Sequence, residues 1–371
     1  MKAQGKKWFK RKLKRMQLLD SYVVEETVES VAQRFGISPA DIVKLNSNEN
    51  FFIPRDKLLG FLKEVTEEYD PRIYPQEEYN LKEKLGDYLK VPTERIIIGN
   101  GGDELIERIM RFFLKKGDQS LSVTPTFAFY KHCASLLGAK YLEAPLKKDF
   151  TLDTKRILEM ITPKTRLLFL CSPNNPTANQ FKIDDIQLLI EEFSGLVLVD
   201  EAYVEFAEYS AVSLLDKFEN LIVLRTFSKA FGLAGLRLGY GAANSDVATA
   251  LSKKAQQPYP VNSIALKMGL KLLANIDIMK KAWKQLKVER ETLIKELNGI
   301  NGVKAFDSQA NFVLFQTSKQ SSEVYRGLLS RCVFVKNLGS VLHLQNCFRT
   351  TVGLPEMNAK LLKALKEIYG E

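Results

Sequence analysis

The chain has 371 residues, of which 45% are hydrophobic, and this length allows a large core in one or two domains rather than a small binding module. No apolar stretch approaches the roughly 20 residues of a spanning helix, and the N-terminus lacks the apolar segment of a secretory signal, so we expect a soluble, cytoplasmic protein. Two histidines and four scattered cysteines argue against a metal site, a histidine-based triad and a disulfide framework.

Most of the formal net charge of +10 lies in a basic N-terminal arm at residues 1–17. Residues 1–15 carry eight lysine or arginine side chains and no acidic one, so the remaining chain is nearly neutral. A local charge run is usually a solvated segment, and we therefore expect neither a nucleic-acid nor a membrane partner. Phe9, Leu13 and Met16 are spaced to share one helical face, which also allows the arm to dock on the body.

Residues 26–50 have the pattern of two helices joined by a glycine turn. Such a pattern is typical of a helix-turn-helix motif, and the basic arm ahead of it raises the alternative of a DNA-binding regulator. The second helix is short and no third helix follows, because the chain runs directly into the Asn-rich turn KLNSNEN. Short patterns of this kind are weak signals, so we favour an enzyme over a regulator.

From residue 76 onward, apolar segments alternate with amphipathic ones. The apolar segments include RIIIG, QSLSV, TRLLFLC, LVLVD and LIVLRT. Strands that are apolar throughout and separated by helices predict a largely parallel sheet covered on both faces, in which ligands bind at the carboxyl ends of strands.

After residue 260 the order of elements changes to a long helical stretch, three short strands and a final helix. The predicted fold class is therefore α/β, with a large domain at 51–258 and a small α+β domain at 259–371. We expect the segment 18–50 to join the small domain.

Polar residues at the strand ends supply the groups that a pyridine-aldehyde cofactor needs for its ring. Lys229, in TFSKAFGLAG, can bind the aldehyde as a Schiff base, and Asp200, at the end of LVLVD, can pair with the protonated ring nitrogen. Phe127 can stack on the ring face. Asn175 and Tyr203 can hydrogen-bond the ring oxygen, which tunes the electronics of the site.

A phosphate cradle is predicted at NGGDE, where a strand turns into a helix. Gly101 and Gly102 allow close approach of the backbone, and the amide of Asp103 can donate at the helix N-terminus. Further donors to the phosphate are predicted to be Thr226, Ser228 and Arg237. Each residue alone would be weak evidence, and the hypothesis depends on their joint order along the chain.

The order of these motifs resembles that of fold-type I pyridoxal-phosphate aminotransferases, and within them the histidinol-phosphate aminotransferase family. The match covers nearly the whole chain after residue 18 and rests on KLNSNEN, IYPQEEYNLKEKL, GNGGDELI, PTFAFY, PNNPT, VDEAY, FSKAFGLAGLRLGY, PYPVN and FRTTVG. The resemblance implies a seven-stranded type of large-domain sheet and the cofactor pyridoxal 5'-phosphate. It also implies amino-group transfer between L-histidinol phosphate and 2-oxoglutarate in histidine biosynthesis.

The resemblance also implies roles for individual residues. Lys229, Asp200 and Tyr203 become catalytic, with Lys229 moving a proton between the substrate carbon and the cofactor. Tyr74, in IYP, matches a tyrosine that reaches the cofactor phosphate of the neighbouring subunit, so a homodimer is implied.

The predicted substrate contacts are Arg349, Tyr22, Lys336 and Asn175. By resemblance, Arg349 binds a substrate anion and Tyr22 binds the substrate phosphate. Lys336 stands where the family usually has an arginine, and it keeps the charge without the bidentate fork.

Two other positions depart from the family pattern: Ala178 replaces the glycine of PNNPTG, and Phe51 replaces the proline after NEN. The alternatives within the same fold are a threonine-phosphate decarboxylase and an aromatic amino-acid aminotransferase. Substrate choice on this fold depends on few contacts.

Overall fold

The structure is a computed structural model that describes residues 2–19 and 26–371. In chain order its helices are α1 (Lys2–Gln17), α2 (Val28–Phe35), α3 (Arg55–Glu67), α4 (Glu78–Leu89), α5 (Gly101–Phe113), α6 (Phe129–Leu137), α7 (Thr154–Glu159), α8 (Ile183–Glu192), α9 (Ser245–Ala250), α10 (Ser263–Ala274), α11 (Ile276–Asn298), α12 (Ser321–Leu329) and α13 (Pro355–Tyr369). The strands are β1 (Val43–Lys44), β2 (Ile96–Gly99), β3 (Gln119–Thr124), β4 (Lys140–Pro145), β5 (Thr165–Cys171), β6 (Leu196–Asp200), β7 (Leu221–Thr226), β8 (Gly239–Ala243), β9 (Val303–Ala305), β10 (Phe312–Thr317), β11 (Val333–Phe334), β12 (Lys336–Val341) and β13 (Leu344–Thr351).

The large sheet has seven strands in the order β2-β8-β7-β6-β5-β3-β4. Strand β8 is antiparallel to β2 and β7, and the other neighbouring strands are parallel. The prediction of a mostly parallel sheet in an α/β fold is therefore confirmed.

The apolar strands divide their side chains between two cores, one on each face of this sheet. Ile96 and Ile98 belong to one core, whereas Ile97 between them belongs to the other. Val197 and Leu198 on β6 are divided in the same way. Because successive strand side chains point to opposite faces, a strand covered on both faces has to be apolar at every position.

The C-terminal part of the chain builds an antiparallel sheet in the order β12-β13-β10-β9. Strand β1 pairs in parallel with β11, with Val43 opposite Val333, so the N-terminal segment is attached to this part. The domain boundaries at 50 and 258 stay a prediction.

The predicted second helix of the helix-turn-helix pattern does not form. Helix α2 ends at Gly36, which has a left-handed φ of 64°, and only a three-residue 3₁₀ turn follows at Pro39–Asp41. The chain then extends into β1, because the β-branched Val43 pairs with the small domain instead of continuing a helix. The helix that would enter a DNA groove in a helix-turn-helix motif is therefore absent from this segment.

The basic arm forms helix α1, as the spacing of its apolar residues indicated. Phe9, Leu13 and Met16 are exposed, so the structure gives this face no covering partner among the described residues. In the part of the chain that the structure covers, no helix combines the length and the apolar character needed to cross a bilayer.

Candidate active site

A cavity of about 1300 Å³ lies at the carboxyl ends of β5, β6 and β7. It is lined by most of the residues predicted for the site: Gly102, Asp103, Phe127, Asn175, Asp200, Tyr203, Thr226, Ser228, Lys229, Arg237, Lys336 and Arg349. Residues that are far apart in the chain meet here because parallel strands present their carboxyl ends at one edge of the sheet.

Asp200 ends β6, and its carboxylate is buried at the floor of this cavity. The Tyr130 hydroxyl donates to Oδ2 at 2.6 Å and the Ala202 amide donates to Oδ1 at 3.1 Å. Burial raises the pKa of Asp200 to about 6, and these two donors only partly offset that effect. A buried carboxylate with this pKa favours a cationic partner in the cavity.

The turn between β2 and α5 forms a narrow cup of backbone. Gly101 has a φ of 86°, and a Cβ added there would lie 2.8 Å from Nη2 of Arg237. A Cβ on Gly239 would overlap the backbone of Gly101 itself. These positions therefore require glycine, and the cup leaves the amides at the N-terminus of α5 open to an anion.

Arg237 lies beside this cup, held by its neighbours in an extended network. Its Nη2 donates to Asp103 at 2.9 Å and its Nη1 donates to the Ser228 hydroxyl at 3.2 Å. The Thr226 hydroxyl accepts from the Ser228 amide at 3.1 Å. The Thr226 hydroxyl itself donates to the Leu238 carbonyl at 3.3 Å, so the donors that suit a phosphate are the guanidinium, the Ser228 hydroxyl and the helix amides.

Lys229 follows β7 on a loop in which the side chains directly beside it, those of Ser228 and Ala230, are buried. Phe227 and Phe231 on either side of it are fully buried and pack against each other, which fixes the loop. The Lys229 amine is left half-buried at the cavity, where Nζ donates to the Ser47 carbonyl at 2.9 Å. It lies 6.0 Å from the centre of the Tyr203 ring.

The remaining predicted residues form the far wall of the cavity. Nη1 of Arg349 donates to Oδ1 of Asn175 at 2.7 Å, and its Nη2 donates to the Asn46 carbonyl at 2.7 Å. Lys336 on β12 lies directly opposite Arg349 on β13. Two basic side chains from the small sheet thus face a cavity whose floor comes from the large sheet.

Sequence reasoning missed several residues of this site. Tyr130 contacts Asp200, Asn48 donates to the Tyr203 hydroxyl at 3.1 Å, and the carbonyl of Ser47 accepts from Lys229. Asn48 and Ser47 lie in KLNSNEN and Tyr130 lies in PTFAFY, so the only signal was their place within motifs that were noticed for other residues.

A second buried charged cluster lies immediately behind Asp200. Glu201 accepts from Nε of Arg225 at 3.0 Å, from the Ser210 hydroxyl at 2.8 Å and from the Ala211 amide at 2.6 Å. Glu205 lies 3.7 Å from Nη1 of Arg225. Burial raises the pKa of Glu205 to about 7 although Arg225 acts in the opposite direction.

Comparison with known proteins identifies the family. The model for "Aminotransferase class I and II" matches residues 40–365. The histidinol-phosphate aminotransferase of Caldanaerobacter subterraneus subsp. tengcongensis is 38% identical over 88% of this chain and 92% of its own length. That of Methanosarcina mazei is 36% identical over 94% of both chains. The chain belongs to the class I and II aminotransferases and, within them, to the histidinol-phosphate aminotransferase family.

The fold of this family is also evident in a solved structure. The histidinol-phosphate aminotransferase from Sinorhizobium meliloti, crystallised in complex with pyridoxal 5'-phosphate, superimposes with a TM-score of 0.85 at 24% identity, over 96% of each chain. The resemblance to fold-type I aminotransferases is therefore confirmed.

The residues at the cavity fit pyridoxal phosphate. The glycine cup with Arg237 and Ser228 suits its phosphate, and the buried Asp200 carboxylate suits a protonated ring nitrogen. Phe127 lines the same cavity, as a residue that stacks on the ring must. The individual roles stay predictions.

Of the predicted site residues that the structure describes, Gly101 and Tyr74 are not among those that line the cavity. Tyr74 is 70% exposed and stacks on Tyr259 with ring centroids 4.5 Å apart. Tyr22 lies outside the described residues.

The departure at Ala178 has a structural consequence. Ala178 is fully buried and has a φ of 64°. The backbone at this position is therefore left-handed, a conformation that the family's usual glycine adopts without strain. An alanine in this conformation costs roughly 1 kcal/mol.

Proposed function

We propose that the protein is a pyridoxal-phosphate-dependent aminotransferase that exchanges an amino group between L-histidinol phosphate and 2-oxoglutarate in histidine biosynthesis. The observation that carries this proposal is the meeting of the Lys229 amine, the buried Asp200 carboxylate and the glycine cup in one cavity. The names of the relatives at 36 to 38% identity support the choice of substrate.

Pyridoxal phosphate, when bound, supplies an electron sink for the carbon that carries the substrate's amino group. Asp200 holds a positive charge at the ring nitrogen, which keeps the ring electron-accepting. Tyr203 and Asn175 orient the ring through its oxygen, and Phe127 excludes water from one face of the ring.

Lys229 is the proposed catalytic base and acid. With pyridoxal phosphate bound, its amine would take a proton from the reacting carbon of the substrate and hold that proton within the site for its return. The Ser47 carbonyl, 2.9 Å from Nζ, holds the amine at the cavity.

The far wall is the proposed anion site for the two substrates. Arg349 is held by Asn175 and Asn46 in an orientation that suits a carboxylate or a phosphate. Lys336, opposite Arg349, is the proposed contact to the phosphate of histidinol phosphate, a role that the family resemblance also gives to Tyr22. Lysine at position 336 supplies charge to this contact with less directional hydrogen bonding than an arginine.

The proposed enzyme is a cytoplasmic homodimer. The exposed, stacked pair of Tyr74 and Tyr259 supports this assembly, because large aromatic side chains at the surface are typical of subunit contacts. In the dimer, Tyr74 reaches the cofactor phosphate of the neighbouring cavity.

The test is to load the purified protein with pyridoxal phosphate and to add L-histidinol phosphate while recording the visible spectrum. We expect a spectral change that 2-oxoglutarate reverses, with glutamate formed in equal amount, and no change in Lys229→Ala. A loaded protein that ignores histidinol phosphate would refute the substrate. Carbon dioxide release from threonine phosphate would favour the decarboxylase instead.

A further inference from the structure

The side chain of Tyr130 lies between the core that contains Ile97 and Leu198 and the floor of the cavity. Tyr130 is fully buried on α6, and its ring stacks on Phe169 with centroids 4.7 Å apart. The ring of Phe127 meets it edge-on, with centroids 5.6 Å apart. These contacts fix the phenol so that its oxygen lies 2.6 Å from Oδ2 of Asp200.

The direction of this hydrogen bond follows from the surroundings of the phenol. Burial and the nearby Asp200 raise the pKa of Tyr130 well above its ordinary value, so the phenol keeps its proton and donates it. With the Ala202 amide on Oδ1, each carboxylate oxygen receives one donor from the protein. The other lone pairs stay available to a ligand.

We propose that Tyr130 is a positioning residue that holds Asp200 as an oriented carboxylate for the ring nitrogen of the cofactor. This inference rests on the proposed function, because it requires pyridoxal phosphate in the cavity. A carboxylate that accepts a hydrogen bond is a weaker base, so a proton shared with the ring nitrogen resides on the nitrogen. Tyr130 thereby keeps the ring in its electron-accepting form without touching it.

The other ionisable groups near Asp200 oppose its ionisation. Asp103 on α5 and the adjacent Glu201 both raise the pKa of Asp200. Cys171 on β5 and Tyr203 also lie close enough to interact electrostatically with Asp200. Neither side chain can carry a positive charge, so neither stabilises the carboxylate as a cation would. Among the five largest influences on the pKa of Asp200, the two that favour the charged form are the hydrogen bonds from the Tyr130 hydroxyl and from the Ala202 amide, in that order. The Tyr130 hydroxyl is thus a major support for the charge.

The experiment compares Tyr130→Phe with Tyr141→Phe in the full chain. Tyr141 is a neighbouring tyrosine on β4 that packs against the same core and does not contact Asp200, which makes it a matched control. Binding of pyridoxal phosphate to the apoprotein is measured by fluorescence titration between pH 6 and pH 9. The visible spectrum of the loaded protein is titrated over the same range.

We expect Tyr130→Phe to weaken cofactor binding by about tenfold to a hundredfold at pH 6.5, the size expected for a hydrogen bond to a charged group, and by less at pH 8.5. Without the phenol Asp200 protonates at higher pH, so the loss must grow as the pH falls. Tyr141→Phe should match the unmodified protein throughout. A loss in Tyr130→Phe that is equal at every pH would overturn the inference, since it would indicate packing alone.

Two further variants test the same coupling. In the Asp200→Asn background, Tyr130→Phe should cause no additional loss of binding, whereas an additive loss would contradict the inference. Tyr130→3-fluorotyrosine keeps the ring and strengthens the donor, so tight binding should extend to lower pH. If binding behaves as expected but histidinol phosphate is not turned over, the proposed substrate fails while the role of Tyr130 stands. If the unmodified protein does not bind pyridoxal phosphate, both fail.

Discussion

Asp200 and Glu201 are consecutive and buried, yet their surroundings differ completely. Glu201 has its counter-ion within the protein, because Arg225 and two further donors surround its carboxylate. Asp200 has two neutral donors, the Tyr130 hydroxyl and the Ala202 amide, and none of the ion pairs among the described side chains includes its carboxylate. Glu201 therefore belongs to a cluster that contains its own cation, whereas the carboxylate of Asp200 has no cation paired with it among the described side chains.

The difference fits a role of Glu201 in the stability of the fold and the role in the site that we propose for Asp200. A buried carboxylate without a cation costs free energy of folding, and a protein keeps one where a ligand brings the charge. The protonated ring nitrogen of pyridoxal phosphate fits that description. Substitutions at the two carboxylates and their partners should therefore have different effects.

The largest effect is expected for Arg225→Met. This change leaves Glu201 and Glu205 buried without their cation, which should lower the free energy of unfolding by about 3 to 5 kcal/mol. Urea unfolding of the apoprotein measures it. The control is Arg95→Met, which removes an ion pair with the exposed Asp216 and should cost at most about 1 kcal/mol. Equal losses of unfolding free energy in the two variants would show that Glu201 and Glu205 do not depend on Arg225 for their stability in the core.

The second effect is on catalysis. Asp200→Asn removes the charge and keeps the shape, so kcat/KM for amino transfer should fall by a factor on the order of 10² to 10³ while the circular dichroism spectrum is unchanged. Steady-state kinetics measured by glutamate formation gives the result. Activity within a few fold of the unmodified enzyme would show that this charge does not support the chemistry.

The same substitution should raise the stability of the apoprotein above neutral pH. The pKa of Asp200 is about 6 in the folded protein against an ordinary 3.8, so the folded state favours the protonated acid. Stability is therefore lost as the pH rises from about 4 to above 6, by roughly 3 kcal/mol. Asp200→Asn lacks this loss.

Thermal unfolding of both apoproteins between pH 4 and pH 8 checks this prediction. We expect similar stability at pH 4 and a more stable variant at pH 8. A gap that does not change with pH would contradict the assignment of the unpaired charge to Asp200.

The smallest effect is expected for Tyr88→Phe. The Tyr88 hydroxyl is 3.4 Å from Oε1 of Glu205, a long hydrogen bond at the margin of the cluster. Its loss should cost less than about 1 kcal/mol in urea unfolding, because Arg225 still faces both acids. A cost near that of Arg225→Met would mean that the cluster depends on the phenol.

The sequence predicted the elements whose physical signal is local. Strands such as LVLVD are apolar at every position because both faces are covered, and the glycines of NGGDE are needed where backbone meets backbone. The carboxyl-end rule then placed Asp200, Lys229 and Arg237 together before the cavity was known.

The contacts that sequence reasoning missed are those that depend on the meeting of distant segments. Nothing in PTFAFY indicates that Tyr130 rather than Phe129 reaches a strand seventy residues away. The second helix suggested by the pattern at residues 26–50 does not form for a similar reason, because the pairing of β1 with β11 decides the conformation of Val43 and Lys44.

The contact between Gly239 and Gly101 limits how this enzyme can diversify. Where main chain meets main chain, no side chain is available to be enlarged, trimmed or recharged, so the diameter of the cup is set by the backbone. Side-chain substitutions can instead change the far wall of the cavity, where Lys336 and Arg349 come from a separate sheet. Substitution can thus alter the contacts to one end of the proposed ligand, while the backbone cup that would hold the other end stays the same.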